Sequence, residues 1–253
     1  MSELNDRDRR ILEHVIRYRL TIQEFLLRLF FADTQLNAVT KVTSRLTDAG
    51  WLARHELPRG RSYFVPGGRA VEAFSLPPGC TRPFSESTLP TAYGVLAYCV
   101  RSGNARLTER DFQTHLKQLA VKGLIKNPHV IDKGCQPHRL SLLIVDRDNP
   151  PERLMIKVAR AVAKRSDNAA YERLIEEGRF SVTIITATAE NQAATARLAE
   201  RREDRAVPVS VAVAPELAHV WPEQLGRRTT DARAARGDAG HLRLPEPPAA
   251  AGA

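Results

Sequence analysis

Six polar residues between positions 35 and 45 are expected on the exposed face of a stretch whose apolar residues recur at helical spacing. They carry amide, hydroxyl and cationic groups: Gln35, Asn37, Thr40, Lys41, Ser44 and Arg45. Asparagine and glutamine pair with adenine edges, lysine and arginine with guanine edges, and hydroxyls with bases or phosphates. The buried stripe of the same helix is expected to consist of Leu36, Val39, Val42 and Leu46. The pattern predicts a helix with one buried face and one face suited to a DNA major groove.

Three arginines follow, in a segment whose alternation of apolar and polar residues is typical of a β-hairpin. We expect one strand over residues 52–58 and a return strand over 62–65, with Arg59 and Arg61 at the tip and Arg54 on the first strand. Arginines on a hairpin beside a groove-binding helix can contact phosphates or enter the minor groove. The three arginines are therefore predicted to be DNA contacts.

Two further helices are expected before the polar one. Asn5 is suited to cap a helix over residues 6–18. Residues 21–24, Thr-Ile-Gln-Glu, match a capping box and predict the start of the second helix.

The polar helix itself has a start and a stop signal. Asp33 or Thr34 is expected to cap it, and Gly50 is expected to end it. Three helices followed by a basic hairpin predict a winged helix-turn-helix over residues 1–75, which binds double-stranded DNA.

The composition agrees with a polyanionic partner. The chain of 253 residues carries a net charge of +9 at pH 7. Aromatic residues make up only 6% of it, which argues against stacking platforms for single strands.

The remaining chain predicts a second region. A Pro-rich linker over residues 76–90 is followed by short helical patterns over 92–100 and 108–119. Three apolar strand-like runs then alternate with helical patterns that begin at Pro151 and Ala189: residues 140–145, 180–186 and 207–213. Alternation of this kind predicts a small α/β domain with parallel strands over residues 91–225.

The predicted fold class is therefore α+β, a winged helix-turn-helix followed by a small α/β domain. Residues 226–253 are rich in Arg, Ala, Gly and Pro and predict a disordered tail.

The order of these parts resembles the replication-relaxation family of plasmid and mobile-element proteins, over most of residues 6–221. The local match consists of residues 145–150, Val-Asp-Arg-Asp-Asn-Pro, followed by a helix that carries Lys157. Residues 180–188 are similar to the final strand-to-helix turn of that family. The resemblance implies a role in replication, its control or transfer, and a relaxase or replication protein as a partner.

The resemblance also implies a C-terminal domain related to restriction endonucleases, which hold Mg²⁺ with acidic residues on adjacent strands. Here Pro128-His129 stands where a Pro-Asp pair is expected, and Ile144 occupies the place of the strand carboxylate. Only Asp146 matches, and the spacing of Asp132 and Asp148 does not argue for substitutes. We expect a degenerate domain with no catalytic residue, no metal site and no cofactor.

Two alternatives remain open beside a DNA-binding protein without enzymatic activity. A metal-dependent nuclease would use Asp146 as its catalytic residue, and a protein-interaction adaptor would not bind DNA at all. A homodimer is also expected, because one winged helix reads only a short site.

Weaker signals point to no further chemistry. His129, Asp132, Cys135 and His138 cluster without a recognised zinc spacing, and we expect them to be exposed loop residues. The three cysteines lack close pairing, no signal peptide is recognisable at the N-terminus, and the apolar runs are too short to span a bilayer. These features predict a cytoplasmic protein with no membrane contact.

Overall fold

The computed structural model describes residues 4–220 except 33, 58–59, 148 and 203–205. Within this part the fold is mixed α+β, with nine helices and two small sheets. The helices are α1 (Asp6–Tyr18), α2 (Gln23–Phe30), α3 (Leu36–Asp48), α4 (Gly68–Ala73), α5 (Leu89–Ser102), α6 (Glu109–His115), α7 (Pro151–Ser166), α8 (Ala169–Glu176) and α9 (Ala189–Glu200). The strands are β1 (Leu52–Leu57), β2 (Arg61–Pro66), β3 (His129–Asp132), β4 (Arg139–Val145), β5 (Phe180–Thr186) and β6 (Val209–Val213). The predicted tail, residues 226–253, lies outside the described residues.

The starts of the first two helices differ in how well the sequence predicted them. Asn5 caps α1 as expected, since its side chain accepts a hydrogen bond from the backbone N–H of Asp8 at 2.9 Å. The predicted capping box over residues 21–24 is wrong, because Ile22 is the N-cap of α2 and offers no side-chain bond. Thr21 instead forms an antiparallel bridge with Phe64, through two backbone hydrogen bonds of 2.9 Å.

The start of α3 also departs from the prediction. Gln35 is its N-cap and makes no side-chain hydrogen bond. The hydroxyl of Thr34 donates backwards to the carbonyl of Phe31, so the predicted cap by Thr34 is wrong, and Asp33 lies outside the described residues. Leu36 is 43% exposed rather than buried, since at 100° per residue it lies at the edge of the apolar stripe.

The hairpin has the predicted antiparallel form, with β1 and β2 paired from Leu52↔Pro66 to Leu57↔Arg61. Its base is fixed against the end of α3, where the N–H of Gly67 donates to the carbonyl of Trp51 at 2.8 Å. A Cβ atom on Gly67 would lie 2.3 Å from the carbonyl oxygen of Gly50. Only glycine allows the hairpin to approach α3 this closely.

The second sheet has the strand order β3-β4-β5-β6. Strands β4, β5 and β6 are parallel neighbours, as predicted, and β3 pairs antiparallel to β4. The sequence did not predict β3 or α8. The helix predicted over residues 108–119 ends at His115 and is followed by a 3₁₀ turn.

The sheet has a helical layer on each face. Along β4, Leu143 and Val145 face α5, whereas Leu142 and Ile144 face the layer of α7 and α8. This alternation follows from the two-residue period of a strand. Helix α9 packs against α7 and β6.

The N-terminal helices and the second sheet share one hydrophobic cluster. Tyr18, Phe25 and Tyr63 from the first 75 residues belong to the same cluster as α5 and Val145. An ion pair also joins α1 to α6, with 2.7 Å between Arg17 Nη1 and Asp111 Oδ2. The predicted linker over residues 76–90 therefore connects two parts that pack directly against each other.

Candidate nucleic-acid interface

The outward face of α3 carries the predicted polar residues. The buried face consists of Val39, Val42, Thr43 and Leu46. The six residues between positions 35 and 45 that were predicted to contact DNA are all exposed: Gln35, Asn37, Thr40, Lys41, Ser44 and Arg45. At 100° per residue, Asn37, Lys41 and Ser44 lie opposite the buried face. The centre of the exposed surface therefore presents an amide, an ammonium and a hydroxyl.

Thr40 lies on the flank of α3 that faces α2. Its hydroxyl donates to the carbonyl of Leu36 at 3.1 Å and accepts from Gln23 Nε2 at 3.3 Å. The same amide donates to the hydroxyl of Thr43 at 3.1 Å. Gln23 thus joins the two helices and fixes the position of Thr40.

Arg45 lies on the opposite flank, beside α1, and has a partner that the sequence analysis missed. Its Nη2 atom donates to both carboxylate oxygens of Asp8, at 2.8 and 2.7 Å. The Asp8 side chain is fully buried, whereas Arg45 is 43% exposed. Because a buried carboxylate requires a counter-charge, Arg45 supports the fold whatever else it contacts. Asp8 precedes the buried Ile11, Leu12 and Val15 at helical spacing, and this spacing was the available signal.

The hairpin arginines lie beside this face. Arg54 on β1 is exposed and donates from Nε to the hydroxyl of Ser62 on β2 at 2.8 Å. Arg61 is also exposed, and its Nη1 atom lies 2.8 Å from His219 Nδ1 and 3.9 Å from a carboxylate oxygen of Glu24. Arg59 lies outside the described residues. Two of the three predicted arginines therefore have defined positions on the hairpin.

A cleft of about 360 Å³ separates α3 from the hairpin. Thr40 and Ser44 line one wall, and Arg54 and Arg61 line the other. Two carboxylate residues, Glu24 and Asp48, also line the cleft. The helix face and the hairpin arginines thus form one continuous polar surface with mixed charge inside the cleft.

Two of the residues considered for a nuclease site, Asp146 and Asp132, accept hydrogen bonds within local turns. Asp146 is 3% exposed, and its Oδ1 atom accepts the backbone N–H of Asn149 at 2.9 Å. Asp132 Oδ1 accepts the N–H of Gly134 at 2.9 Å, and Asp148 lies outside the described residues. Burial lowers the pKa of Lys157, and the nearby Arg147 lowers it further, while Asp146 acts in the opposite direction.

His129 is fully buried, so its predicted place in an exposed loop is wrong. It begins β3, and its Nε2 atom lies 3.1 Å from Nη2 of Arg165, which is itself almost fully buried. Burial lowers the pKa of His129 to about 3, and the nearby charge of Arg165 is the second cause. The ring is therefore neutral and accepts this hydrogen bond. His138 Nδ1 contacts the carbonyl of Cys135 within the following loop. Over the described ranges, no group of three or more His, Cys, Asp or Glu residues has a geometry that holds a metal ion.

No family model, curated protein or solved structure matches the chain. The resemblance to the replication-relaxation family therefore stays a prediction. Among residues 4–220, with the gaps given above, no helix is long and apolar enough to cross a membrane.

Proposed function

We propose that residues 1–75 form a winged helix-turn-helix that binds double-stranded DNA. In this proposal α3 enters the major groove, and the hairpin arginines contact the adjacent backbone. The observation that carries it is the exposed row of Asn37, Lys41 and Ser44, which continues into Arg54 and Arg61 on the hairpin. These groups can pair with base edges and phosphates without any rearrangement of the buried face.

Two features of the molecule support the proposal. The isolated bridge between Thr21 and Phe64 sets a further extended residue beside the two-stranded hairpin, as a winged helix would require. The net charge of +9 supplies the long-range attraction that brings a protein to a polyanion.

For the biological role, we propose that the protein recognises a duplex site in the cytoplasm. This recognition would support the replication of a plasmid or mobile element, the control of that replication, or the transfer of the element. This role rests on the resemblance of residues 145–150 and 180–188 described above. A homodimer on a two-part site and docking of a relaxase or replication protein belong to the same proposal.

Fluorescence anisotropy with a random-site duplex pool tests the binding directly, followed by selection and sequencing of the retained DNA. The full-length protein is titrated at about 50 and 200 mM salt, with a single-stranded pool as the control. Two phosphate contacts already predict a roughly tenfold weaker affinity at the higher salt. We expect this loss, an enriched motif and a preference for duplex.

Binding of neither pool at about 50 mM salt would contradict the proposal and favour the adaptor. Equal binding of both pools without an enriched motif would contradict the base-reading role of α3, since phosphate contacts alone carry no sequence information.

A further inference from the structure

A second cavity, of about 320 Å³, lies away from α3, between the end of α1, the start of α5 and the carboxyl end of β4. Four basic side chains line it: Arg19, Arg106, Lys126 and Arg147. Three hydroxyl-bearing residues at the start of α5 line it as well: Ser87, Thr88 and Thr91. The cavity therefore brings together four cations and three hydroxyl groups from separate parts of the chain.

Among the described residues, no carboxylate balances the positive charge of this cavity. In the described part of the chain, no carboxylate lines the cavity, and none of its four cations takes part in an ion pair. Like charges held together in this way repel each other, so the arrangement costs folding free energy unless an anion binds.

Arg106 is the most enclosed of the four cations. Its Nη1 atom donates to the carbonyl of Tyr18 at 3.4 Å, while its Nε atom is buried and has no hydrogen-bond partner among the described residues. Burial lowers the pKa of Arg106; the neighbouring Arg19 and Arg17 lower it further, while Cys99 and Tyr18 act in the opposite direction. A buried guanidinium nitrogen without an acceptor is costly, and the negative charge of a phosphate in the cavity would offset part of this cost.

We propose that this cavity binds a phosphate group, carried either by the DNA backbone or by a small phosphorylated molecule. Guanidinium groups form two parallel hydrogen bonds with phosphate oxygens. The hydroxyls of Ser87 and Thr88 are hydrogen-bonded to Ser85, so Thr91 is the residue at the start of α5 whose hydroxyl can donate to a ligand. The location agrees with the position of ligands in open α/β sheets, just beyond the carboxyl ends of the strands. Phe84, Val95 and Pro128 add an apolar wall that can cover the rest of a small ligand.

Isothermal titration of the full-length protein with inorganic pyrophosphate and with adenosine triphosphate tests the site. The test variant is Lys126→Glu with Arg147→Glu, since both side chains are exposed and removing them leaves the core unchanged. Lys133→Glu with Arg160→Glu is the matched control, an equal charge change on exposed residues that do not line the cavity. We expect the test variant to weaken pyrophosphate binding at least tenfold, and the control variant to change it less than twofold.

Duplex titrations of the same variants identify the source of the phosphate. If pyrophosphate competes with the duplex and the test variant weakens both, the group belongs to the DNA backbone. If pyrophosphate binding is lost while duplex affinity matches that of the control, the ligand is a small phosphorylated molecule.

Absence of binding by pyrophosphate and triphosphate at millimolar concentration would overturn the inference, as would binding that the test variant retains. Because the pyrophosphate titration contains no duplex, this result is separate from success or failure of the DNA-binding proposal.

Discussion

Arg45 and Lys41 are neighbours on the exposed surface of α3, one helical turn apart, but their surroundings give them different roles. Arg45 neutralises the buried Asp8 carboxylate, whereas the ammonium group of Lys41 lies on the outward face. The sequence pattern placed both residues among the predicted DNA contacts, because both are basic and both were expected on the exposed face of the helix. Telling the two roles apart requires the contact between Asp8 on α1 and Arg45 on α3, which are 37 residues apart in the sequence. No local pattern reveals this contact.

Replacing Arg45 tests this division of roles. Arg45→Ala leaves the Asp8 carboxylate buried without its counter-charge, and we expect it to lower the free energy of unfolding by about 3 kcal/mol. Lys41→Ala is the control and is expected to change stability by less than about 0.5 kcal/mol. Urea unfolding followed by circular dichroism measures both. Equal effects of the two substitutions would show that the ion pair does not support the fold.

His14 predicts a pH dependence of stability. Burial lowers its pKa from 6.5 to about 4, so the unfolded chain takes up a proton in this range and the folded protein does not. The stabilising contribution is complete above pH 6.5 and is lost as the pH falls towards 4. His14→Gln keeps a hydrogen-bonding group near Thr21, and between pH 7 and 5 it should lose about 1–2 kcal/mol less stability than the natural protein.

Equilibrium unfolding at a series of pH values gives this difference. His129 is unchanged in both proteins and contributes equally to both curves, so it serves as an internal reference. Parallel curves for the two proteins would be inconsistent with a buried, neutral His14.

At the scale of elements, the hairpin is positioned by its contact with the end of α3. Gly67→Ala would place a methyl group against the backbone carbonyl of Gly50, which has no rotamer to move away. We expect a loss of about 2–3 kcal/mol in unfolding free energy, because backbone must shift. Gly68→Ala is the adjacent control, since a Cβ atom there meets nothing within 4 Å. Similar stability of the two variants would mean that the hairpin base is not fixed in this way.

The elements that the sequence predicted correctly are those with a strong local signal. The cap at Asn5 and the apolar runs of β4 and β5 needed no knowledge of the rest of the chain. Strand β3 was missed because four residues are too few to show a period, and its polar ends look like loop. Thr21 was misread because its pairing with Phe64 competes with the local capping pattern.

At the scale of the whole molecule, the first 75 residues and the second sheet share a core that composition did not reveal. The Pro-rich segment 76–90 looked like a linker, yet α5, which follows it, packs against both parts. Gly94 of α5 approaches Val145 so closely that a Cβ atom would lie 2.7 Å from its nearest methyl carbon. The mixed α+β class could be predicted from the sequence. The shared packing could not, because it depends on contacts between residues that are far apart in the chain.

The shared core predicts a single cooperative unfolding transition. In a Trp221→Phe background, fluorescence reports Trp51 in the N-terminal part, while circular dichroism reports all helices. We expect Gly94→Ala to lower the unfolding free energy by about 1–3 kcal/mol. The unfolding midpoints that both probes report should then move together to a lower denaturant concentration. A shift in only one probe would indicate two independently folding parts.

The same packing bears on the phosphate-binding cavity, because its lining comes from both parts of the chain. Arg19 follows α1, whereas Arg147 follows β4. A bound phosphate would therefore contact both parts and stabilise their packing as well as its own site.

The central claim is that the outward face of α3 reads duplex DNA, and one comparison tests it most directly. The affinity of Asn37→Ala with Lys41→Ala for the selected duplex is measured by anisotropy at about 50 mM salt, beside Lys117→Ala with Gln118→Ala. The control pair removes an equal charge and one amide from exposed residues of another surface. Because each base contact is worth about 1–3 kcal/mol, the account predicts at least a tenfold loss for the α3 pair and less than a twofold change for the control. An equal affinity of the two pairs would contradict it.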